Sequence, residues 1–250
     1  MKRSALFLTA TLAAAAPVAA RITRTRSSPP PTSAADAATL SPWAPLAAFI
    51  VGSGIDYQTD SDQSELGFPM LLEWNPSERL TLILEPQYAV IDSKSSDVSS
   101  LAGFGDLETA VDYEILSERR YRPALSLEGL VRWPTAAAPE LGDPGRDYSL
   151  GLLANKDLVF VDVGVNLRYT FVGERGQENE IEASLAAEWH LNPYLNLITE
   201  VATAGTNDVE ATLGLGWQFN ENLTLEQGII FKERGEWEWV FAWEWDFGGD

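Results

Sequence analysis

Trp237-Glu238-Trp239-Val240-Phe241-Ala242-Trp243-Glu244-Trp245-Asp246-Phe247 is the stretch that decides the fold. Every odd position is a large aromatic, and the even positions are Glu, Val, Ala, Glu and Asp. Side chains of a strand alternate between two faces, so this segment has one wall of rings and one largely acidic wall. A helix of 3.6-residue period would scatter the same rings around its circumference. At roughly 3.3 Å per residue, a tilted strand of this length just crosses a hydrocarbon core of about 30 Å. Rings at its two ends would then sit at the two membrane interfaces. The segment reads as one stave of a transmembrane barrel.

Working back from it, the alternation continues to about Trp43. It predicts strands at 46–57, 66–74, 79–91, 104–116, 123–133, 147–154, 159–171, 181–191, 194–203, 209–219, 223–232 and 236–247. The expected fold is all-β: a 12-stranded antiparallel transmembrane β-barrel of outer-membrane type over residues 43–250. An even strand number puts both ends on the periplasmic side. Connections alternate in length. Tight turns are expected at Asn75-Pro76-Ser77-Glu78, Ser117 to Arg120, Asn155-Lys156-Asp157, Asn192-Pro193 and Asn220-Glu221-Asn222, where Asn, Pro and Ser are turn formers. Longer polar segments at 92–103, 134–146 and 173–180, with shorter ones near 58–65, 204–208 and 233–235, are the outer loops. Short periplasmic turns and long outer loops are the habit of this architecture.

Alternation alone leaves open which face is inside, since a secreted lipocalin-like barrel or sandwich has the same stripes. Strands of 8–13 residues exceed the usual 5–6 of soluble sheets. Trp and Tyr punctuate the apolar face near strand ends: Trp74, Tyr113, Trp133, Tyr148, Tyr169, Trp189, Trp217, Trp237 and Trp245, with Phe247 closing the series. These are the expected membrane-interface aromatics. Parity then assigns a lumen lined by Glu85, Asp106, Glu108, Asp112, Glu114, Glu128, Arg132, Asp162, Arg168, Glu188, Glu200, Glu226, Glu238 and Glu244, with Glu182, His190, Glu210 and Asp246 beside them. Only Arg132 and Arg168 stand out as interior counter-charges. Ionised carboxylates are costly in a dry interior, so the lumen is expected to hold water and cations, or to hydrogen-bond its acids across a filled barrel.

The chain begins as an exported protein does. Lys2 and Arg3, the apolar run Ala5 to Ala16 and Val18-Ala19-Ala20 make residues 1–20 a removable signal peptide. Residues 21–42 are Pro- and Ala-rich without period, an expected disordered lead-in, with a short lumen plug as the alternative. Cysteine is absent, which excludes disulfides and thiol chemistry. Residues 1–40 hold five of the 17 basic and one of the 37 acidic residues, leaving 12 against 36, a net of −24 for the remainder. A body this acidic repels nucleic acid.

Three short motifs add a resemblance. Gly103-Phe104-Gly105-Asp106-Leu107, then Arg132-Trp133-Pro134-Thr135, then Gly145-Arg146-Asp147-Tyr148-Ser149-Leu150 resemble the outer-membrane barrel "transporter" family labelled putative meta-pathway of phenol degradation, from about residue 45 onward. The resemblance implies a channel or uptake protein for small, often hydrophobic or aromatic, solutes. The family shows Pro-Thr-Gly where this chain has Pro134-Thr135-Ala136. Asp106 and Asp147-Tyr148 either line the outer vestibule or tie down loop backbone, with Gly105 easing the strand entry and Tyr148 anchoring the interface.

Catalysis is the weaker class. The single histidine, His190, points into the lumen near the periplasmic end, away from both the lipid-facing wall and the outer loops. No Gly-x-Ser-x-Gly, His-Glu-x-x-His or phosphate loop occurs. Glu108, Asp112 and Glu114, or Glu244 and Asp246, share oxygen-rich faces but lack loop-type calcium spacing, so no metal or cofactor is assigned. Expected partners are outer-membrane lipid, lipopolysaccharide bridged through loop acids such as Asp60, Asp62, Glu65, Glu140, Asp143, Glu174, Glu178 and Glu180, a small-molecule solute, and the barrel assembly machinery, which would read Phe247 despite the Gly248-Gly249-Asp250 tail. The expected function is an outer-membrane, porin-like transport channel; the alternative is a non-conducting barrel with a structural or adhesion role. Loop 134–146 divides the two: folded inward it would constrict or plug the bore, and folded outward it would leave an opening.

Overall fold

The computed structural model describes residues 48–59, 63–93, 100–174, 176–204, 208–220, 222–233 and 236–247. The expected signal peptide, lead-in, residues 248–250 and the tips of several outer loops lie outside the described residues. Twelve antiparallel strands form a closed barrel in which each pairs with its sequence neighbours. They are β1 (Ala48–Thr59), β2 (Gln63–Ser77), β3 (Leu80–Ser93), β4 (Leu101–Leu116), β5 (Ala124–Trp133), β6 (Asp147–Asp157), β7 (Val161–Phe171), β8 (Glu180–Asn192), β9 (Leu195–Ala204), β10 (Asp208–Gln218), β11 (Leu223–Phe231) and β12 (Trp237–Asp246). β12 closes on β1 from Ile50↔Asp246 to Thr59↔Trp237, and the Phe247 N–H continues the ladder to Phe49 O at 2.7 Å. Closure leaves no strand edge unpaired, which the bilayer demands.

The wall is inside out relative to a soluble protein. Leu150 is 62% exposed and Phe104 56%, while Glu238 is 0% and Glu128 2% exposed. No soluble sandwich hides its glutamates and displays its leucines; a wall meeting acyl chains does. The aromatics expected at the interfaces all face outward. Trp74, Tyr113, Trp189, Trp217, Trp245 and Phe247 cluster at the turn end, and Trp133, Tyr148, Tyr169 and Trp237 at the loop end. Rings pair along this wall, as in Phe49 with Trp74 (centroids 6.1 Å apart) and Tyr169 with Phe171 (4.7 Å).

Three turns use one device. A side-chain oxygen at or just past the end of a strand caps the backbone two residues on: Asp157 Oδ1 takes the Val159 N–H at 2.6 Å, Asn192 Oδ1 that of Tyr194 at 2.9 Å, and Asn220 Oδ1 that of Asn222 at 2.8 Å. One expected turn is corrected. Asn155-Lys156-Asp157 belongs to β6, because Asn155 pairs with Ala124 on the interior face; the chain turns at Leu158-Val159-Phe160. There Val159 adopts φ 75°, a left-handed conformation that a β-branched residue takes only under strain. At the first expected turn β2 likewise continues to Ser77 through a register shift, and Glu78-Arg79 make the reversal.

Candidate functional site: an acidic bore and its latched loop

The first motif opens β4 with a bulge. Pro86 pairs with Leu107 and Tyr88 with Phe104, so Gly105 and Asp106 together face the single residue Gln87. The extra residue resets the alternation. Phe104 and Leu107 both look outward, while Gly103, Gly105 and Asp106 look into the bore.

Loop 134–146 turns inward over these glycines. Leu141, 7% exposed, lies against them: a Cβ on Gly103 would stand 2.8 Å from Leu141 Cδ1, and one on Gly105 would stand 3.0 Å from Leu141 O. Only glycine admits the loop there. Asp106 holds it down. Its Oδ1 accepts the N–H groups of Thr135 and Ala136, both at 3.0 Å, and Oδ2 accepts that of Asp143 at 2.8 Å. The Thr135 hydroxyl oxygen accepts the Leu107 N–H at 2.9 Å, and Phe104 O accepts that of Ala137 at 2.8 Å. Ala136, where the family shows glycine, fits with a negative φ. Its methyl occupies space that a Cβ on Gly142 would contest at 2.5 Å.

The second and third motifs close the far side of the loop. Arg132 bonds Asp147 and lies 2.8 Å from Asp143, so Asp143 is part of the latch rather than a solvated loop charge. Asp147 Oδ1 takes the Gly173 N–H at 2.8 Å, tying the next outer loop to the same carboxylate. Outside, the Arg146 guanidinium packs 4.4 Å from the centre of the Trp133 ring, whose Nε1–H donates to Thr109 Oγ1 at 2.9 Å. Asp106 and Asp147 thus bind loop backbone, and Tyr148 faces outward.

All the acids and arginines that parity assigns to the lumen point inward. Glu128, Asp162, Arg168, Glu188, Glu200 and Glu238 are buried; Glu85, Asp106, Glu108, Asp112, Glu114, Arg132, Glu226 and Glu244 are half-buried. Asp56 and Glu73 join them. Arg168 Nε and Nη2 donate to Glu128 Oε1 at 3.1 and 2.9 Å, with Glu182 at 3.6 Å from Nη1. A third interior cation corrects the count of two. Lys232 Nζ lies 2.9 Å from Glu238 Oε2 and donates to Gln58 Oε1 at 2.7 Å. It stands one residue past β11, on the inward parity of Ile230. At the turn end, His190 Nε2 is 3.4 Å from Asp162 Oδ2, its Nδ1 is 3.2 Å from Asn196 Oδ1, and Asn196 Nδ2–H donates to Glu188.

Two features went unread in the sequence. The bore is not uniformly polar: Ile83, Ala110 and Leu130 form a buried interior cluster with Leu71 against it. Charge is also graded along the axis. Arg132, Arg168 and Lys232 all lie in the loop-side half. The turn-side half carries Glu73, Asp112, Glu114, Asp162, Glu188, Glu226, Glu244 and Asp246, and among the described residues no strand turns a Lys or Arg inward there. Among the described residues, no group of three or more His, Asp or Glu is arranged to hold a metal ion.

This architecture has solved counterparts. An outer-membrane channel from Pseudomonas putida F1 matches with a TM-score of 0.68 at 14% identity, over 82% of this chain and 97% of that one. The fold is that of bacterial outer-membrane barrels. The KdgM porin, solved with disordered oligogalacturonate, gives 0.55 at 11% identity over 77% of this chain and 98% of its own. The NanC porin gives 0.53 at 12% identity over 79% and 98%. No family model and no characterised sequence matches, so the phenol-degradation label rests on the three motifs alone.

Proposed function

We propose that the protein is a passive outer-membrane channel or uptake protein for small solutes, with a narrow acidic bore whose outer mouth is constricted by loop 134–146. The observation that carries this reading is the latch. A loop held inside the mouth by one carboxylate on three amides is a positioned constriction; the non-conducting reading takes the same loop as a plug. The described neighbours being channels and porins supports the same class. The carboxylate lining argues against an anionic cargo of the kind seen with KdgM. Together with the Leu71, Ile83, Ala110 and Leu130 cluster, it favours solutes with apolar surface and, where charged, positive charge.

Single-channel recording of the purified protein in a planar bilayer tests the proposal. Small cation-selective conductance is expected. An anion-selective reversal potential would refute the acidic-lumen reading. Silence across voltages and salts would favour the non-conducting barrel.

A further inference from the structure

The turn joining β4 to β5 is unlike the rest of this acidic barrel. It reads Ser117-Glu118-Arg119-Arg120-Tyr121-Arg122-Pro123. Arg119 and Arg122 exchange backbone hydrogen bonds at 2.9 and 3.0 Å, leaving Arg120-Tyr121 as a two-residue tip. The base is braced. Arg122 Nη2–H donates to Ser117 O at 2.9 Å, Lys156 of β6 pairs with Glu118 and donates to Arg119 O at 3.2 Å, and Glu118 also takes the Asp157 N–H at 3.3 Å. Glu118 is therefore spent within the scaffold. The Arg79 carbonyl receives the Glu114 N–H at 2.8 Å, which brings the β2–β3 turn alongside. Exposed on this surface are Arg79, Arg119, Arg120 and Tyr121, with Glu78 as the one exposed acid beside Arg79; Tyr121 is 86% exposed with the Arg120 guanidinium 5.2 Å over its ring.

Depth says what this surface meets. The outward side chains of β4 run from Phe104 to Ile115. At roughly 3.3 Å per residue and a tilt of about 40°, that wall spans about 28 Å, enough for an apolar band of about 25 Å. Arg119 and Arg120 follow four and five residues later, on the periplasmic side, at the level of lipid headgroups. Guanidinium forks match phosphate oxygens, and an exposed Tyr ring settles at such an interface.

We propose that this braced turn binds the phosphate of an anionic phospholipid in the periplasm-facing leaflet. The charge there runs against a chain of net −20, and phospholipid phosphate is the anion that a bilayer presents at that depth.

The test uses the full-length protein folded in neutral detergent and offered phosphatidylglycerol or phosphatidylcholine, with retained lipid counted by native mass spectrometry. Wild type is expected to keep phosphatidylglycerol in roughly tenfold preference, as clustered basic residues beside a membrane do. R119Q/R120Q should lose that preference while keeping the heat-modifiable gel mobility of a folded barrel. Arg79→Gln, outside the hairpin, should reduce it in part and serves if the double variant fails to fold. Equal retention of both lipids by wild type, or an unchanged preference in the variants, would overturn the proposal. So would displacement of the lipid by millimolar inorganic phosphate, which would make this a site for the soluble anion.

Discussion

Asp106 is the residue on which the outer mouth depends. It satisfies three loop amides at once, and hydrogen bonds to a charged acceptor contribute about 1.5–3 kcal/mol each. Discounted for a half-exposed carboxylate, the latch still holds roughly 3 kcal/mol, a large part of the about 5.5 kcal/mol that separates 1:99 from 99:1. D106A is expected to release loop 134–146 and raise single-channel conductance several-fold, with the barrel still folded; unchanged conductance would show that the loop does not set the constriction. Deeper in the bore, Arg168 and Glu128 form a pair of the opposite kind, where loss of one partner strands a buried charge. R168M should lower barrel stability by about 3–5 kcal/mol, and R168M/E128Q should recover most of it. Urea unfolding in micelles reads both, and a double variant no better than the single would mean that Arg168 acts chiefly through Glu182.

Among the connecting elements, the β6–β7 turn is the strained one. Val159 holds φ 75° at an exposed tip, at a cost of about 1–2 kcal/mol for an L residue with a Cβ. Val159→Asn, whose short side chain tolerates that region, is expected to raise the urea midpoint by the equivalent of about 1 kcal/mol; a lower midpoint would show that the apolar tip earns its place against lipid. The same turn marks where the sequence was hard to read. Twelve strands were legible because period-two alternation persists for eight or more residues at a time. Asn155 read as a turn former, yet a barrel interior accepts Asn, and the true turn, Leu158-Val159-Phe160, has no Gly, Pro or Asn of its own. The bulge at Gly105-Asp106 was hidden for a related reason. Its only trace is Phe104 and Leu107, two apolar residues three apart, which strict alternation cannot place on one face. The lumen residues followed from parity; the latch did not, because it depends on where a loop folds.

At the scale of the whole molecule, the proposed channel function makes the axial gradient of charge the determinant of what the bore should pass. Among the described residues, the three interior cations are spent on carboxylates in the loop-side half, so the field near the turn-side exit is set by acids from β2, β4, β7, β8, β11 and β12. That field is screened over about 10 Å at 0.1 M salt and about 3 Å at 1 M. An ion passing the exit at low salt feels charges across a Debye length of wall; at high salt it feels only the nearest group. The reversal potential in a tenfold KCl gradient should therefore indicate cation preference when the dilute side is near 0.01 M, and should shrink toward zero as both sides approach molar salt. Glu114→Lys with Glu244→Lys, both half-buried and inward at the exit, should weaken or invert the preference, whereas the same exchange at exposed Glu140 on the outer loop should leave it nearly unchanged. A preference that survives the two exit substitutions would place selectivity at the loop-side mouth, beside the Arg132–Asp143–Asp147 group, and would mean that the exit is too wide for its charges to matter.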